Sequence, residues 1–478
     1  MPTIPNYDPA EHAPRLEDAF LTRREWLRRT GMGMGALSLS MLMGDAMVSP
    51  GTAGAAPLAP APGPRTPLSP KKAPLAAKAK YVIHIFASGG PSHVDTWDPK
   101  PALAQYDEKT LPGMGGLAYP SPFKFTKRGK SGIEVSEIFP QLGDMVDDMC
   151  VIRSMWTDVP AHEPASRFMH TGSLQLPKPS LGSWVLYGLG TENQNMPGFI
   201  CLGGRPEYRQ ASFLPSLYQG VEVNYRTNMP LSQVLLNIRN QFIGAEDQRR
   251  QLDVARKLNA MHAAKLHRDE QLEARIESFE MAFRMQTTAT DAFDISKEPP
   301  NVREMYGRSE MGAKLIVARR LVERGVRFVQ VEAGGWDHHA NLEQSLKGKA
   351  TEIDQPAAAL IKDLKQRGLL DQTLIIWGGE FGRTVTRDRN GGATVGRDHN
   401  GRGFCTWMAG GGVKGGRVYG ATDEFGARAE TDRVHVHDLH ATILALLGFD
   451  HTKHTYRYNG RDFRLTDNYG KVVKDVIA

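Results

Sequence analysis

Short apolar runs that end in glycine alternate along this chain with amphipathic stretches. Tyr81-Val82-Ile83-His84-Ile85-Phe86-Ala87 is a continuous β-rich run closed by Ser88-Gly89-Gly90-Pro91, the pattern of a buried strand feeding a loop. Val151 to Trp156 is a second short strand-like run. Met311 to Arg324 repeats its apolar residues at helical spacing and stops at Gly325, and Val326 to Val331 then reads as a strand ended by Gly334-Gly335. Ala357 to Arg367 is another helix, closed by Gly368, and Thr373 to Trp377 is the strand after it, ended by Gly378-Gly379. This alternation predicts an α/β fold with a mostly parallel central sheet and helices on both faces, its functional loops gathered at the carboxyl ends of the strands. The last helix is expected from His437 or Asp438 to Leu447, with Asp438 as its N-cap and Gly448 as its stop. Residues 246–286 are highly charged yet place Leu252, Ala255, Leu258, Met261 and Leu272 loosely on one face, which predicts a long helical insertion.

The pattern before Tyr81 is different. Thr22-Arg23-Arg24-Glu25-Trp26-Leu27-Arg28 leads into a weakly apolar, glycine-containing stretch from Gly31 to Met43. That is the n-region and h-region of a twin-arginine export signal, and the stretch is shorter than the ~20 apolar residues a membrane span needs. Ala53-Gly54-Ala55 offers the small-residue cleavage pattern. Residues 1–55 are therefore expected to be a signal peptide with no stable membrane span, read by the twin-arginine translocase. It would deliver the chain already folded to the periplasm or another extracytoplasmic space. Residues 56–79, rich in Ala, Pro and Lys and almost without large apolar side chains, read as a linker. Residues 80–478 are left as the folded part.

Composition narrows the function classes. The chain is 40% hydrophobic with a net charge of +6, but it has no block of consecutive basic residues and no basic stripe interleaved with aromatics, so nucleic-acid binding is disfavoured. The three cysteines, Cys150, Cys201 and Cys405, are far apart and odd in number, giving neither a zinc motif nor a disulfide framework.

Chemistry is concentrated in the loops after the strands. Residues 89–100 (GGPSHVDTWDPK) offer His93, Asp95 and Asp98. Residues 334–341 (GGWDHHAN) offer Asp337, His338, His339 and Asn341. Residues 378–383 (GGEFGR) offer Glu380 and Arg383, followed after a glycine-rich excursion by Gly396-Arg397-Asp398-His399-Asn400. Clustered carboxylates and imidazoles in converging loops are what a divalent metal site requires. A fourth segment, Ala161-His162-Glu163-Pro164-Ala165-Ser166-Arg167-Phe168-Met169-His170-Thr171-Gly172, reads as a helix start whose N–H groups suit an anion or a nucleophile facing one.

The order of these pieces, with HDLHATILALLGFDH near the C-terminus, resembles the exported bacterial proteins of domain of unknown function 1501, which are grouped with sulfatases and alkaline phosphatases. The resemblance covers nearly everything from Tyr81 onward. It implies an alkaline-phosphatase-like three-layer sandwich and one or two divalent metal ions held by Asp95, Asp337, His339, Glu380 and His399. The imidazoles in the group Asp337, His339 and His399 favour zinc or manganese, while the oxygen-rich Asp95 and Glu380 side could take calcium or magnesium. It further implies that His162 stands where a sulfatase carries its Cys nucleophile, as nucleophile, ligand or base, with Ser166 as a fallback nucleophile. Arg167 or Arg383 would hold the charge of an anionic ester. The usual Asp-His-Gly is replaced by Glu380-Phe381-Gly382, so one imidazole is missing.

The resulting expectation is an exported metal-dependent hydrolase of phosphate or sulfate esters, acting on an anionic small molecule or polysaccharide. It would use metal-activated water or His162. The alternative is a non-catalytic binding or assembly protein that keeps the fold, with a mutase or transferase as a third class.

Overall fold

The run Tyr81–Phe86 forms β1, and all six of its residues are buried, because both faces of the strand are covered. In this computed structural model, residues 66–227, 229–230, 234, 244–265, 279–280, 283–284, 291–388 and 394–478 are described. The expected signal peptide, with Arg23 and Arg24, lies outside them. The chain divides into two compact units, residues 64–239 with 263–478, and residues 1–63 with 240–262. The sheet and everything chemical described below lie in the first.

Chain order continues with β2 (Met149–Trp156), α1 (His162–Thr171), α2 (Leu181–Leu189), β3 (Phe199–Leu202) and β4 (Val221–Glu222). Then come α3 (Ala245–Lys265), α4 (Glu310–Glu323), β5 (Phe328–Glu332), α5 (Leu342–Gln366) and β6 (Thr373–Gly378). The chain closes with β7 (Phe404–Ala409), β8 (Arg417–Tyr419), β9 (Val434–His435) and α6 (Val436–Leu446). The main sheet has the order β8-β2-β7-β6-β1-β5-β3-β4, with β9 also paired to β2. β1 pairs in parallel with both β5 (Val82 opposite Phe328) and β6 (Val82 opposite Leu374). Only β7 runs antiparallel to its neighbours in this sheet, among the described residues. The fold is thus α/β with a mostly parallel central sheet, as the alternation predicts.

Because β1, β5 and β6 are parallel neighbours, their carboxyl ends lie side by side. The loops opening with Ser88, Ala333 and Gly379 therefore share one edge of the sheet. The last helix keeps the predicted span but not the predicted cap. His435 is its N-cap, and Asp438 sits three residues on, its carboxylate accepting from the His435 N–H. With the His435 ring accepting the His437 N–H, this forms a capping box, so Asp438 serves the helix start from inside it. α5 starts at Leu342, well before Ala357, and contains Pro356.

The second half of the expected linker is bound to the domain: the N–H groups of Lys71, Leu75 and Lys78 donate to the carbonyls of Leu189, Gly448 and Leu446 at 2.8, 2.9 and 2.8 Å. Leu68 and Ala79 are buried there. Backbone hydrogen bonds hold this stretch, and a hydropathy reading does not register them. The charged stretch does carry a helix, α3, laced by Arg249–Asp253 and Arg250–Asp247 pairs, but most of 266–290 lies outside the described residues. Among the described residues, no helix is long and apolar enough to cross a membrane.

Gly172 ends α1 in the left-handed conformation, at φ 62°, and a Cβ there would lie 2.1 Å from the Leu465 carbonyl oxygen. Gly348, exposed in the middle of α5, would meet nothing within 4 Å. Gly172→Ala is therefore expected to destabilise the fold by ~2 kcal/mol or more, and Gly348→Ala to stabilise it by up to ~1 kcal/mol. Urea denaturation of the two variants checks the opposite signs.

Candidate functional site

Four side chains from two loops and one helix start meet at the carboxyl edge of the sheet. Asp337 and His339 follow β5, His399 follows the glycine-rich excursion after β6, and His162 is the first residue of α1. One ligand-type atom from each lies within 4.8 Å of all the others. His162 Nε2 faces Asp337 Oδ2 at 3.2 Å, while His339 Nε2 and His399 Nε2 lie 2.9 and 3.3 Å from Asp337 Oδ1.

The orientation of each ring is set on its far side. His162 Nδ1 lies 2.7 Å from the buried Glu380 carboxylate, His339 Nδ1 lies 2.5 Å from Asp388, and His399 Nδ1 lies 3.0 Å from the Pro160 carbonyl. A carbonyl and a carboxylate only accept, so each Nδ1 is the protonated nitrogen. In the neutral rings this leaves three Nε2 lone pairs pointing at one carboxylate. His339 Nε2 and His399 Nε2 are 3.0 Å apart, and His162 Nε2 is buried without a hydrogen-bond donor. Lone pairs at such distances repel unless a cation lies among them.

The electrostatics agree. Burial lowers the pKa of His162, but the hydrogen bond and charge of Glu380 and the charge of Asp337 outweigh it, so the net shift is upward. Burial works against the charge of Asp337, yet the hydrogen bond and charge of Arg383, followed by His162 and His339, hold its carboxyl below the usual range. His399 is lowered by burial and by the charges of Arg383 and His162. The charges of Glu380 and Asp337 favour the protonated form of the His162 ring. Phe381 packs beside His162 and His399, with ring centroids 4.9 and 4.7 Å away.

Several expected site residues are placed elsewhere. Asp95 is fully buried in a two-point ion pair with Arg397, at 2.7 and 3.0 Å, and accepts from the Ser92 hydroxyl. Its oxygens are taken, so it offers nothing to a metal. His93 contacts the Gly426 carbonyl, and Asp98 is held by Thr422 and Lys100. The first loop thus supplies backbone only: Gly89 N–H donates to Glu380 at 2.9 Å. Gly89 has φ 110°, and a Cβ on it would lie 2.6 Å from the Asp337 nitrogen, so only glycine lets these two loops touch. Glu380 stands behind His162 and does not join the four-atom group. Arg383 is not free to hold an ester. Its donors go to the carbonyls of Gly89, Gly90 and Arg397, to Asp337 Oδ1 at 2.5 Å and to His339 Nε2 at 3.4 Å. Arg167 pairs with Glu163 and the Leu174 carbonyl, while Ser166 is buried on α1. His338 is buried and pushed down to about 4 by burial and by Arg383.

Two carboxylates here escape a sequence reading. Asp388, inside the excursion, orients His339, and a second cluster joins His339 with Asp388 and Asp398. Glu332, the last residue of β5, is half-buried and bonded to the Ser88 hydroxyl. The excursion's glycines hide the first, and strand alternation hides the second.

The family model described as protein of unknown function (DUF1501) matches residues 79–477. No curated protein matches the chain. Solved structures similar to it include the PsFucS1 sulfatase from Pseudoalteromonas sp., with 12% identity, 77% of this chain and 68% of that one covered, and a TM-score of 0.35. Another is the lipoteichoic acid synthase LtaP from Listeria monocytogenes, with 9% identity, 83% and 78% covered, and a TM-score of 0.35. A third is the C-terminal periplasmic domain of EcEptC from Escherichia coli in complex with Zn, with 10% identity, 86% and 99% covered, and a TM-score of 0.33.

Burial pushes the Glu332 carboxyl up to about 7 from 4.5; the Ser88 hydroxyl opposes this and the Glu380 charge adds to it. A pKa raised on folding stabilises below the unfolded value, and that contribution is lost as pH rises through the folded one. Glu332→Gln is therefore expected to flatten the decline in stability between pH 4.5 and 7 and to gain ~1–3 kcal/mol near pH 8. Urea denaturation across that range checks it, and an unchanged pH profile contradicts it.

Proposed function

This chain belongs to the family of proteins of unknown function DUF1501, and from its site we propose that it is a metal-dependent hydrolase of phosphate or sulfate esters. The observation that carries the reading is the shared polarity of three imidazoles, each giving Nδ1–H to a protein oxygen and turning Nε2 toward Asp337. Metal-ligating histidines are oriented in this way, by an oxygen on the far ring nitrogen.

The residues present fit a divalent ion. Three nitrogens and one carboxylate oxygen are a donor set for zinc or a similar borderline ion, and the buried, unpartnered His162 Nε2 is accounted for by it. With Asp95 paired to Arg397 and Glu380 behind His162, the oxygen-rich calcium or magnesium alternative loses its ligands. His162, Asp337, His339 and His399 would hold the ion, with Glu380, Asp388 and the Pro160 carbonyl keeping the rings aligned. A bound ion supplies Lewis acidity toward an ester oxygen and toward water. The chain itself does the remaining work. His162 occupies the position of the nucleophile implied by the resemblance, but its Nε2 is turned into the ligand group, which leaves attack to water. Arg383 fixes Asp337 and the loop after β1, so the charge of the ester is left to the ion.

A second reading has its own observation. Four protein donors close a tetrahedron, as structural zinc sites do, whereas catalytic ones keep a position open. That would make the protein a binding or assembly module. The Asp337 side chain is 44% exposed, which keeps one side of the group open to solvent, and for that reason hydrolysis is the first reading. We place the activity outside the cytoplasm, after folded export by the twin-arginine translocase, on the Arg23-Arg24 motif.

Purified protein is expected to carry about one divalent ion per chain and to hydrolyse an aryl phosphate or sulfate, with Asp337→Ala losing both. Elemental analysis and a chromogenic ester assay check this. Less than one ion per chain, with hydrolysis unchanged in the variant, contradicts it. Asp388→Asn should weaken metal affinity by ~10–100-fold with the fold intact, measured by competition with a chelator.

A further inference from the structure

A separate cleft of about 930 Å³ opens beside the carboxyl-terminal half of α1, walled by residues 172–176 and 178, the end of β2, the start of α6 and residues 467–471. It shares no residue with the imidazole group.

The charges of this cleft are unevenly satisfied. Its three carboxylates all have partners. Asp158 lies 2.9 Å from His435 Nε2, Asp438 accepts the backbone N–H of His435 and of Lys471, and Asp467 accepts from Lys178 and Arg461. Two cations have none. Arg433 lies over the Trp156 ring, 4.5 Å from its centroid, and neither its guanidinium nor the Lys471 ammonium has an acidic partner among the described residues. Stacking holds the Arg433 group in place while leaving its N–H edges available. The unmet charge of the cleft is positive.

The same walls expose apolar surface. Tyr469, 65% exposed, and Leu176, 64% exposed, are the most exposed large hydrophobic side chains among the described residues, and both line this cleft. Tyr469 stacks one face on His437, with centroids 5.4 Å apart and planes 15° from parallel. Its other face is available. His437 also lines the cleft and has a buried Nδ1 without a hydrogen-bond partner. Exposed amides of Gln175 and Asn468 complete the rim.

We propose that this cleft binds an anionic saccharide. Arg433 and Lys471 would take its carboxylate, sulfate or phosphate, Tyr469 the apolar C–H face of a sugar ring, and the rim amides its hydroxyls. A single free aromatic face suits a pyranose ring, which stacks on one side; a nucleobase gains most from two planes, and His437 already occupies the second. The proposal is independent of the metal centre.

The test is isothermal titration of the purified full chain with a chondroitin sulfate tetrasaccharide, with cellotetraose as the neutral control and AMP as the nucleotide control. The expected result is one binding site for the charged tetrasaccharide and none for cellotetraose. Affinity should fall about 10-fold or more in Arg433→Ala, Lys471→Ala and Tyr469→Ala, each with an unchanged melting temperature. Asp337→Ala should bind as the parent does, so failure of the metal reading leaves this result standing. No binding of the charged tetrasaccharide, equal binding of cellotetraose, tighter binding of AMP, or unchanged affinity in Arg433→Ala overturns the proposal.

Discussion

The Arg383 guanidinium, fully buried, ties together the loops on which the candidate site is built. From the loop after β6 it donates to the Gly89 and Gly90 carbonyls of the loop after β1, to Asp337 in the loop after β5, and to the Arg397 carbonyl just ahead of His399. Burying a cation costs several kcal/mol unless its charge and N–H groups are met. Here one carboxylate and three carbonyls meet them. The loops are consequently held in one arrangement, and Asp337 is fixed as the point on which three imidazoles converge.

From that point outward, each ring is steered by an oxygen behind it. Glu380 receives the Gly89 N–H as well as facing His162, so the loop after β1 and the start of α1 are set by one carboxylate. Asp95 and Arg397 form a second buried pair, two residues ahead of His399, that joins the loop after β1 to the same segment. The outcome is a site with more negative charge and more lone pairs than its own cations satisfy. The raised pKa of His162 expresses the same deficit. A bound divalent ion and a proton on His162 are competing answers to one electrostatic demand.

Much of this was legible in the chain. The strands ending at Ala87, Val331 and Trp377 stand out because buried parallel strands are continuously apolar and must stop at glycine where the backbone turns. Asp337, His339, His399 and His162 stand out because imidazoles and carboxylates cluster in loops that a parallel sheet brings together at one edge. What stayed illegible depends on tertiary partners. Asp95 looks like a ligand until Arg397, 302 residues away, is placed beside it. Arg383 looks like a substrate clamp until its acceptors are counted, and Glu380 looks like a ligand until His162 is seen in front of it. Asp388 lies in a glycine-rich excursion with no periodicity to flag it, and the backbone bonds of residues 66–79 leave no trace in side-chain composition.

On the proposed reading, three histidines are fixed as Nδ1–H tautomers with their Nε2 atoms turned to a divalent ion. Nitrogen-15 NMR of the histidine rings, recorded near neutral pH before and after addition of zinc, tests it directly. His162, His339 and His399 are expected to keep a protonated Nδ1 throughout, and zinc is expected to shift all three Nε2 resonances together. Nε2–H signals from any of these rings that persist in excess zinc would contradict it.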